Sequence, residues 1–243
     1  LEGKVSHFHK ESSERITPKC AHFGTCGGCT WQHMDYPAQL RHKQQEVVDA
    51  LNRIGGVDVA EFAPIIGCKN TYGYRNKMEF SFSARRWLTP EEINGNEPVT
   101  DKTALGFHIP GMWDKIVDIE HCHLQEELPN RIRNEVKKYA RQNELSFYDA
   151  REKSGFLRSL MLRNTLAGEI MVVMQFFYED KVARTAFLEH LKVIFPEITS
   201  LQYIINEKAN DTIYDQEIVC YHGTTFITER MDNLAYRITP KAF

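Results

Sequence analysis

The chain of 243 residues has 42% hydrophobic and 26% charged residues, a composition typical of a globular protein with one large domain or two small ones. Its formal net charge of −3 excludes an overall positive field, so binding to a nucleic acid requires a local basic surface. No apolar run is long enough to span a bilayer, and residues 1–19 lack the apolar segment of a signal peptide. We therefore expect a cytoplasmic protein without membrane contact, whose six cysteines bind a metal or remain thiols.

The first clear element along the chain is a helix predicted at 36–54. Asp35 suits its N-cap, Pro37 suits its first turn, and a pair of glycines at 55–56 suits its end. Hydrophobic residues with helical spacing predict two further helices, at 125–142 and 180–194.

The hydrophobic residues between these helices follow a period of two. Met78, Phe80 and Phe82 alternate with polar residues, which predicts a strand with one buried face. Further strands are predicted at 104–109, 115–120, 156–164, 168–177, 200–206, 213–221 and 225–238. The segment 89–103 is predicted to be an exposed acidic loop. Because the helices are too few and too unevenly placed for a doubly wound parallel sheet, the pattern favours an α+β fold with a mostly antiparallel sheet, about three helices and a cysteine-rich loop.

The cysteine-rich loop contains Cys20, Cys26 and Cys29, separated by five and two residues. Thiolates this close together are typical of a metal centre, and the two glycines between the last pair allow both sulfurs to point inward. Three thiolates leave one position open, so a fourth ligand must come from elsewhere in the chain. Cys122 is the candidate for that ligand.

The identity of the metal is open from the residues alone. Four thiolates suit either an iron–sulfur cluster or a structural zinc ion, and three clustered cysteines with one distant cysteine favour the cluster. His121 or His123, which flank Cys122, would instead complete a zinc site of three cysteines and one histidine. Cys68 and Cys220 have no neighbouring ligand types, and the strand-like surroundings of Cys220 are typical of a buried, inert thiol.

Several motifs together resemble one protein family. They are Cys-x5-Cys-Gly-Gly-Cys-Thr-Trp-Gln-His at 20–33, Tyr-Gly-Tyr-Arg-Asn-Lys at 72–77, Leu-Gly-Phe-His at 105–108, Ile-Val-Asp-Ile at 116–119 and Leu-Arg-Ser-Leu-Met-Leu-Arg at 157–163. From about residue 15 to its last residue, the sequence resembles the bacterial RNA uracil-5-methyltransferases, specifically the iron–sulfur-containing branch that acts on 23S ribosomal RNA.

The resemblance implies two cofactors and a partner. One [4Fe–4S] cluster would be held by Cys20, Cys26, Cys29 and Cys122, and would order the fold and help RNA docking rather than carry out redox chemistry. S-adenosylmethionine would be the methyl donor of the complete protein. The partner would be RNA, with 23S ribosomal RNA favoured over transfer RNA.

The resemblance also makes the motif at 72–77 the first candidate for contact with RNA. Tyr74 can stack on a splayed base, while Arg75 and Lys77 can bind phosphates or base edges. From its pattern alone, the same segment is equally well explained as a solvated basic strand edge. Arg158 and Arg163 are weaker candidates, because they lie on opposite faces of a regular strand and at most one can share a surface with Arg75.

Members of this family have a small N-terminal β-barrel, a central cluster-bearing domain and a C-terminal Rossmann-like methyltransferase domain. Matched onto this chain, residues 1–17 are expected to be the tail of the barrel and 18–35 the cluster loop. Residues 36–238 are expected to form a central α+β RNA-binding domain, and 239–243 the start of the link to the methyltransferase domain. Neither a glycine-rich loop for S-adenosylmethionine nor the family's Asp-Pro-Pro motif occurs here. We therefore expect this chain to lack the Rossmann-like domain, its catalytic residues and its cofactor-binding residues, and to be inactive alone.

Two other functions fit parts of the pattern. A stand-alone zinc-binding, RNA-binding module would need the same cysteines and the same basic strand. An electron-transfer or redox enzyme would use the cluster itself, but no flavin or nicotinamide motif supports that function.

Overall fold

The computed structural model describes residues 3 and 5–242, which fall into two compact units, residues 1–72 and 73–243. Positions 1, 2, 4 and 243, which belong to the predicted barrel tail and link, lie outside the described residues. Domain boundaries are predicted after residues 17, 35 and 238, and those boundaries stay a prediction. No helix in the described part of the chain is long and apolar enough to cross a membrane.

The first unit contains helix α1 (Tyr36–Asp49), which continues as a π-helical turn over Ala50–Ile54. The carboxylate of Asp35 accepts a hydrogen bond from the backbone N–H of Ala38 at 3.0 Å, so the helix begins with the predicted N-cap. At the other end, the backbone N–H of Gly55 donates to the carbonyl oxygen of Ala50 at 2.8 Å. The helix predicted at 36–54 is thus confirmed, with a widened last turn.

The second unit is built on a seven-stranded sheet. Its elements in chain order are β1 (Lys77–Ser83), α2 (Pro90–Asn94), β2 (Ala104–His108), β3 (Ile116–Asp118), α3 (Glu127–Gln142), β4 (Leu157–Asn164), β5 (Ile170–Phe176), α4 (Lys181–Ile194), β6 (Ile198–Ile205), β7 (Val219–Gly223), β8 (Ile227–Met231) and β9 (Leu234–Ile238). The strand order is β3-β2-β1-β4-β5-β6-β7, and β8 pairs with β9 as a separate hairpin. Helix α2 occupies part of the predicted acidic loop, and the strand predicted at 225–238 is this hairpin.

The predicted fold class, an α+β fold with a mostly antiparallel sheet, is wrong because the sheet is mixed. Strands β5 and β6 run parallel, with Val172 opposite Leu201, and the chain passes between them through α4. A parallel pair needs a crossover of this kind, and the β5–α4–β6 connection is the unit from which Rossmann-like folds are built. The remaining neighbours in the sheet pair antiparallel.

Helices α3 and α4 cover one face of the sheet and bury its largest side chains. Phe176 of β5 contacts Phe187 of α4 edge to face, with ring centroids 5.9 Å apart. Phe187 also contacts Tyr139 of α3 at 5.4 Å, so the two helices share one apolar layer. Phe80 of β1 is fully buried, and the guanidinium of Arg133 on α3 lies 5.2 Å from its ring centroid. This layer is the main hydrophobic core of the unit.

The opposite face of the sheet is only partly covered. A small cluster of Met161, Met171, Val173, Ile204 and Ile227 is buried there, and hydrophobic residues of the 213–238 segment pack against it. Strand β1 and the adjoining part of β4 carry polar residues on this face. This face of the sheet therefore has an exposed polar part, which we call the open face, and a covered apolar part.

Candidate nucleic-acid interface

Strand β1 separates a buried face from an open one, as its alternating pattern predicts. Met78, Phe80 and Phe82 are buried under the helices. Lys77 and Glu79 point the other way and form an ion pair, with Nζ and Oε1 2.7 Å apart and both side chains more than one-third exposed. A basic residue of the predicted RNA motif thus lies on the open face, next to a carboxylate that offsets its charge.

The residues before β1 bring the predicted RNA contacts to the surface. Tyr74 is 57% exposed and Arg75 is also exposed. The backbone of this segment is fixed, because the N–H of Arg75 donates to the carbonyl oxygen of Leu124 at 2.8 Å. The side chains of Tyr74 and Arg75 are therefore presented to solvent on a held backbone. Their contact with RNA stays a prediction.

Arg158 is buried beside the open face, and its guanidinium contacts other parts of the protein. It is 4% exposed and its Nη1 donates to the carbonyl oxygens of Asn206 and Lys208 at 2.7 and 2.6 Å. Its guanidinium also lies over the rings of Tyr148 and Phe177, 4.9 and 5.7 Å from their centroids. Burial lowers the pKa of Arg158. These contacts hold the chain that leaves β6, and a role of Arg158 in RNA binding stays a prediction.

Arg163 is likewise buried, and its Nη2 donates to the carbonyl oxygen of Ala242. It lies directly opposite Lys77 in the β1–β4 ladder, so the two side chains share the open face. The expectation that Arg158 and Arg163 lie on opposite faces assumes a regular strand. The pairing of β4 shifts between Leu157 and Ser159, which breaks that alternation at Arg158.

Two adjoining cavities cross the open face. Their volumes are about 300 and 180 Å³, and both are lined by Ser81, Ser159 and Asp211. Trp113 lines the smaller cavity and Tyr214 lines the larger one. We call these two cavities, with these five residues, the sheet groove.

Trp113 and Tyr214 are not among the binding candidates that the sequence predicts. They are 66% and 62% exposed, which is unusual for large aromatic side chains on folded backbone. For Trp113 the sequence contains a signal of exposure. It lies in the turn Gly-Met-Trp-Asp between two predicted strands, and a side chain in a short turn is seldom buried in the core. For Tyr214 the prediction of a strand at 213–221 hides the signal.

The cysteine-rich loop lies in the first unit, and its backbone forms a compact turn. The N–H of Cys26 donates to the carbonyl oxygen of His22 at 3.0 Å, and the N–H of Cys20 donates to Oε1 of Gln32 at 3.1 Å. Gly27 has a φ of +72°, a conformation that favours glycine. Within the described residues, no group of three or more His, Cys, Asp or Glu is arranged to hold a metal ion. The structure therefore gives no support to the predicted cluster.

Cys122, the predicted fourth ligand, lies in the second unit in a buried polar environment. Its backbone N–H donates to Oδ1 of Asn130 at 2.9 Å. Arg133 is close enough for a negative charge on Cys122 to raise its pKa, although burial is the larger effect and lowers the pKa of Arg133 to about 10. Nε and Nη1 of Arg133 are buried and find no hydrogen-bond partner among the described residues. Cys122 is thus buried close to a cation that has unsatisfied hydrogen-bond donors.

Sequence comparisons relate the whole chain to RNA methyltransferases. It is 46% identical over 248 residues to an uncharacterized RNA methyltransferase of Porphyromonas gingivalis, covering 100% of the chain and 53% of that relative. A relative of the same description from Bacteroides thetaiotaomicron is 43% identical, with 100% and 54% covered. The chain thus spans about half the length of the curated relatives it matches. No protein-family model matches it.

A solved structure extends this relation to the fold. The chain is similar to the tRNA (uracil-54, C5)-methyltransferase of Pyrococcus abyssi in complex with S-adenosyl-L-homocysteine, with a TM-score of 0.63 and 26% identity. The alignment covers 97% of this chain and 48% of the Pyrococcus chain. It contradicts the prediction of an inactive central portion from which the methyltransferase fold is absent, because nearly the whole chain aligns with a cofactor-bound methyltransferase. The prediction that this chain is inactive and lacks the methyltransferase fold is therefore wrong.

Proposed function

We propose that this chain takes part in the S-adenosylmethionine-dependent methylation of uracil C5 in RNA, and that its open sheet face contacts the RNA. The observation that carries the proposal is the alignment of nearly the whole chain with a uracil C5 methyltransferase. The similarity to RNA methyltransferases of two bacteria supports the same reaction class.

The chemistry of this reaction sets what the protein must do with RNA. Uracil C5 is a poor nucleophile until a nucleophile has added to C6, and both carbons are hidden while the base is stacked. S-adenosylmethionine supplies the methyl group. The protein must therefore bind RNA whose bases are partly unstacked. The start of β1 suits that task, because Tyr74 and Arg75 are exposed just before the strand and Lys77 lies on its open face.

Two classes of RNA are candidate substrates. The motifs of the sequence resemble those of enzymes that act on 23S ribosomal RNA, and we retain that RNA as the first candidate. Transfer RNA is the second, because the Pyrococcus methyltransferase acts on it.

Cluster binding is a separate part of the proposal. The spacing of Cys20, Cys26 and Cys29 and the glycine turn between the last two support thiolate ligation by the first unit. Cys122, the fourth ligand that the resemblance implies, is buried in the second unit near the cation of Arg133. When bound, a [4Fe–4S] cluster would supply a rigid link between chain segments rather than a reaction step.

Methylation by the complete protein tests the proposed reaction. Unmodified 23S ribosomal RNA and transfer RNA are each incubated with S-adenosylmethionine carrying an isotopically labelled methyl group, and the digested nucleosides are analysed by mass spectrometry. We expect labelled 5-methyluridine from one of the two RNAs and no label in other nucleosides. Label in another nucleoside, or in neither RNA with a folded protein that binds S-adenosylmethionine, would contradict the proposed reaction.

A further inference from the structure

The sheet groove has walls whose chemistry differs from that of a phosphate site. Ser81 lines both cavities, with its Oγ 3.3 Å from Nε2 of His108. Ser159 and Asp211 add a second hydroxyl and a carboxylate. The hydroxyls both donate and accept hydrogen bonds, whereas the carboxylate accepts them and repels anions.

Two cations, Lys77 and Arg158, line the cavities of the sheet groove, and both have protein partners. Nζ of Lys77 is paired with Glu79, and Nη1 of Arg158 donates to two backbone carbonyl oxygens. The groove is therefore matched to a neutral planar ligand with donors and acceptors on its edge, such as a nucleobase. Lys77, which lines the larger cavity, and Arg75, two residues before it, are then available to the phosphates of the same strand.

The smaller cavity is lined by the aromatic ring of Trp113, whose backbone is held in place by hydrogen bonds and an ion pair. Trp113 is carried by the connection between β2 and β3, which is closed by a hydrogen bond from Ile109 N–H to the carbonyl oxygen of Lys115 at 3.0 Å. The next residue, Asp114, is buried and forms an ion pair with Arg151 at 2.5 Å. A largely exposed ring on a fixed turn is a suitable platform for base stacking.

The larger cavity has a similar arrangement. Tyr214 lies in the loop after β6, and its carbonyl oxygen accepts a hydrogen bond from Nζ of Lys241 at 2.9 Å. Fully buried Asn206 donates to the carbonyl oxygens of Asn210 and Thr212 at 3.4 Å, which fixes the loop on the sheet. Both cavities of the sheet groove thus carry an exposed aromatic ring.

We propose that the sheet groove binds an unpaired base of the RNA, stacked on Trp113 and hydrogen-bonded along its edge to Ser81, Ser159 and Asp211. Tyr214 contacts the neighbouring nucleotide. The proposal rests on the proposed function only in taking RNA as the partner. It adds a specific binding site for single-stranded RNA that is separate from the basic segment before β1.

Binding of a 12-nucleotide oligouridylate to the complete protein tests the groove. We expect Trp113→Ala to weaken binding about 5- to 150-fold, the range for loss of one base–aromatic stack. Trp113→Phe keeps a ring and should bind within a few-fold of the unmodified protein. Tyr236→Ala is the matched control, because Tyr236 is also an exposed aromatic residue but lies on β9 outside the sheet groove. Its affinity should not change.

Two results would overturn the groove proposal. One is an affinity of Trp113→Ala within twofold of the unmodified protein, with both folded to the same melting temperature. The other is an equal loss in Trp113→Ala and Trp113→Phe, which would show that the ring does not stack. Either result with continued formation of 5-methyluridine removes the groove and leaves the proposed reaction intact. If the complete protein forms no 5-methyluridine but still binds the oligouridylate through Trp113, the proposed reaction is removed and the groove proposal stands.

Discussion

Replacement of Cys26 by Ser is expected to abolish iron binding by the protein purified without oxygen. A [4Fe–4S] cluster needs all its thiolates, and a serine hydroxyl is a poor substitute for one of them. The unmodified protein should contain about four iron and four sulfide ions per chain, the content of one such cluster. Metal analysis, sulfide analysis and visible absorption measure these quantities directly.

The matched control for this experiment is Cys68→Ser. Cys68 is an exposed cysteine of the same unit, and its Sγ donates to the carbonyl oxygen of Asn70 at 2.9 Å. Its replacement should leave the iron content unchanged. If the unmodified protein instead contains one zinc ion per chain, the site is a zinc site and not an iron–sulfur cluster. Equal iron in Cys26→Ser and the unmodified protein would reject the ligand assignment.

Arg133→Ala is expected to lower the free energy of unfolding by about 3–5 kcal/mol, as large core truncations do. The side chain is 1% exposed and fills the space between α3 and Phe80. Its Nη2 donates to the carbonyl oxygen of Glu120 at 2.5 Å and to Oδ1 of Asn134 at 2.9 Å. Truncation leaves a cavity and removes these hydrogen bonds. Unfolding in urea, followed by circular dichroism, measures the loss.

Two further variants separate packing from charge at this position. Arg133→Met keeps most of the volume without a buried charge, so it should lose less than Arg133→Ala. Arg131→Ala removes an exposed arginine of the same helix, whose guanidinium lies 5.7 Å from the ring of Phe195. It should cost less than about 1 kcal/mol, the upper range for an exposed cation–π contact. Equal losses in Arg131→Ala and Arg133→Ala would contradict the assigned core role of Arg133.

The local structure could be predicted from the sequence wherever one short pattern determines it. The alternation in β1 fixes which side chains are buried, and it holds through Met78, Phe80 and Phe82. The N-cap at Asp35 fixes the start of α1, since the carboxylate acts on a backbone N–H only three residues away. Such contacts depend on neighbours in the sequence, so the sequence contains the necessary information.

The mixed sheet could not be predicted in the same way. A helix followed by a strand, as in α4 and β6, has the same periodicity whether the strand returns parallel or antiparallel to β5. The pairing of Val172 with Leu201 joins residues far apart in the chain, and no local pattern records it. The predicted fold class is therefore wrong although most of its elements are located correctly.

The site shows the same division between local and distant contacts. The sequence identifies Tyr74, Arg75 and Lys77 as a polar, basic segment, and each is at least partly exposed. It does not show that Arg158 is enclosed by two aromatic rings and two carbonyl groups, because those partners come from other parts of the chain. The sheet groove depends on the same kind of distant neighbours.

The salt dependence of RNA binding tests most directly whether RNA contacts the open face. Affinity of the complete protein for its RNA is measured between about 50 and 200 mM salt for the double variant Arg75→Ala, Lys77→Ala. Because this variant can no longer neutralise two of the phosphates, we expect weaker binding and a log–log slope that is flatter by roughly 1.4 to 1.8. The control is Arg131→Ala with Lys138→Ala, which removes the same charge from exposed positions on α3. Unchanged affinity and slope in the first variant, or an equal change in both, would contradict the open face as the RNA-binding surface.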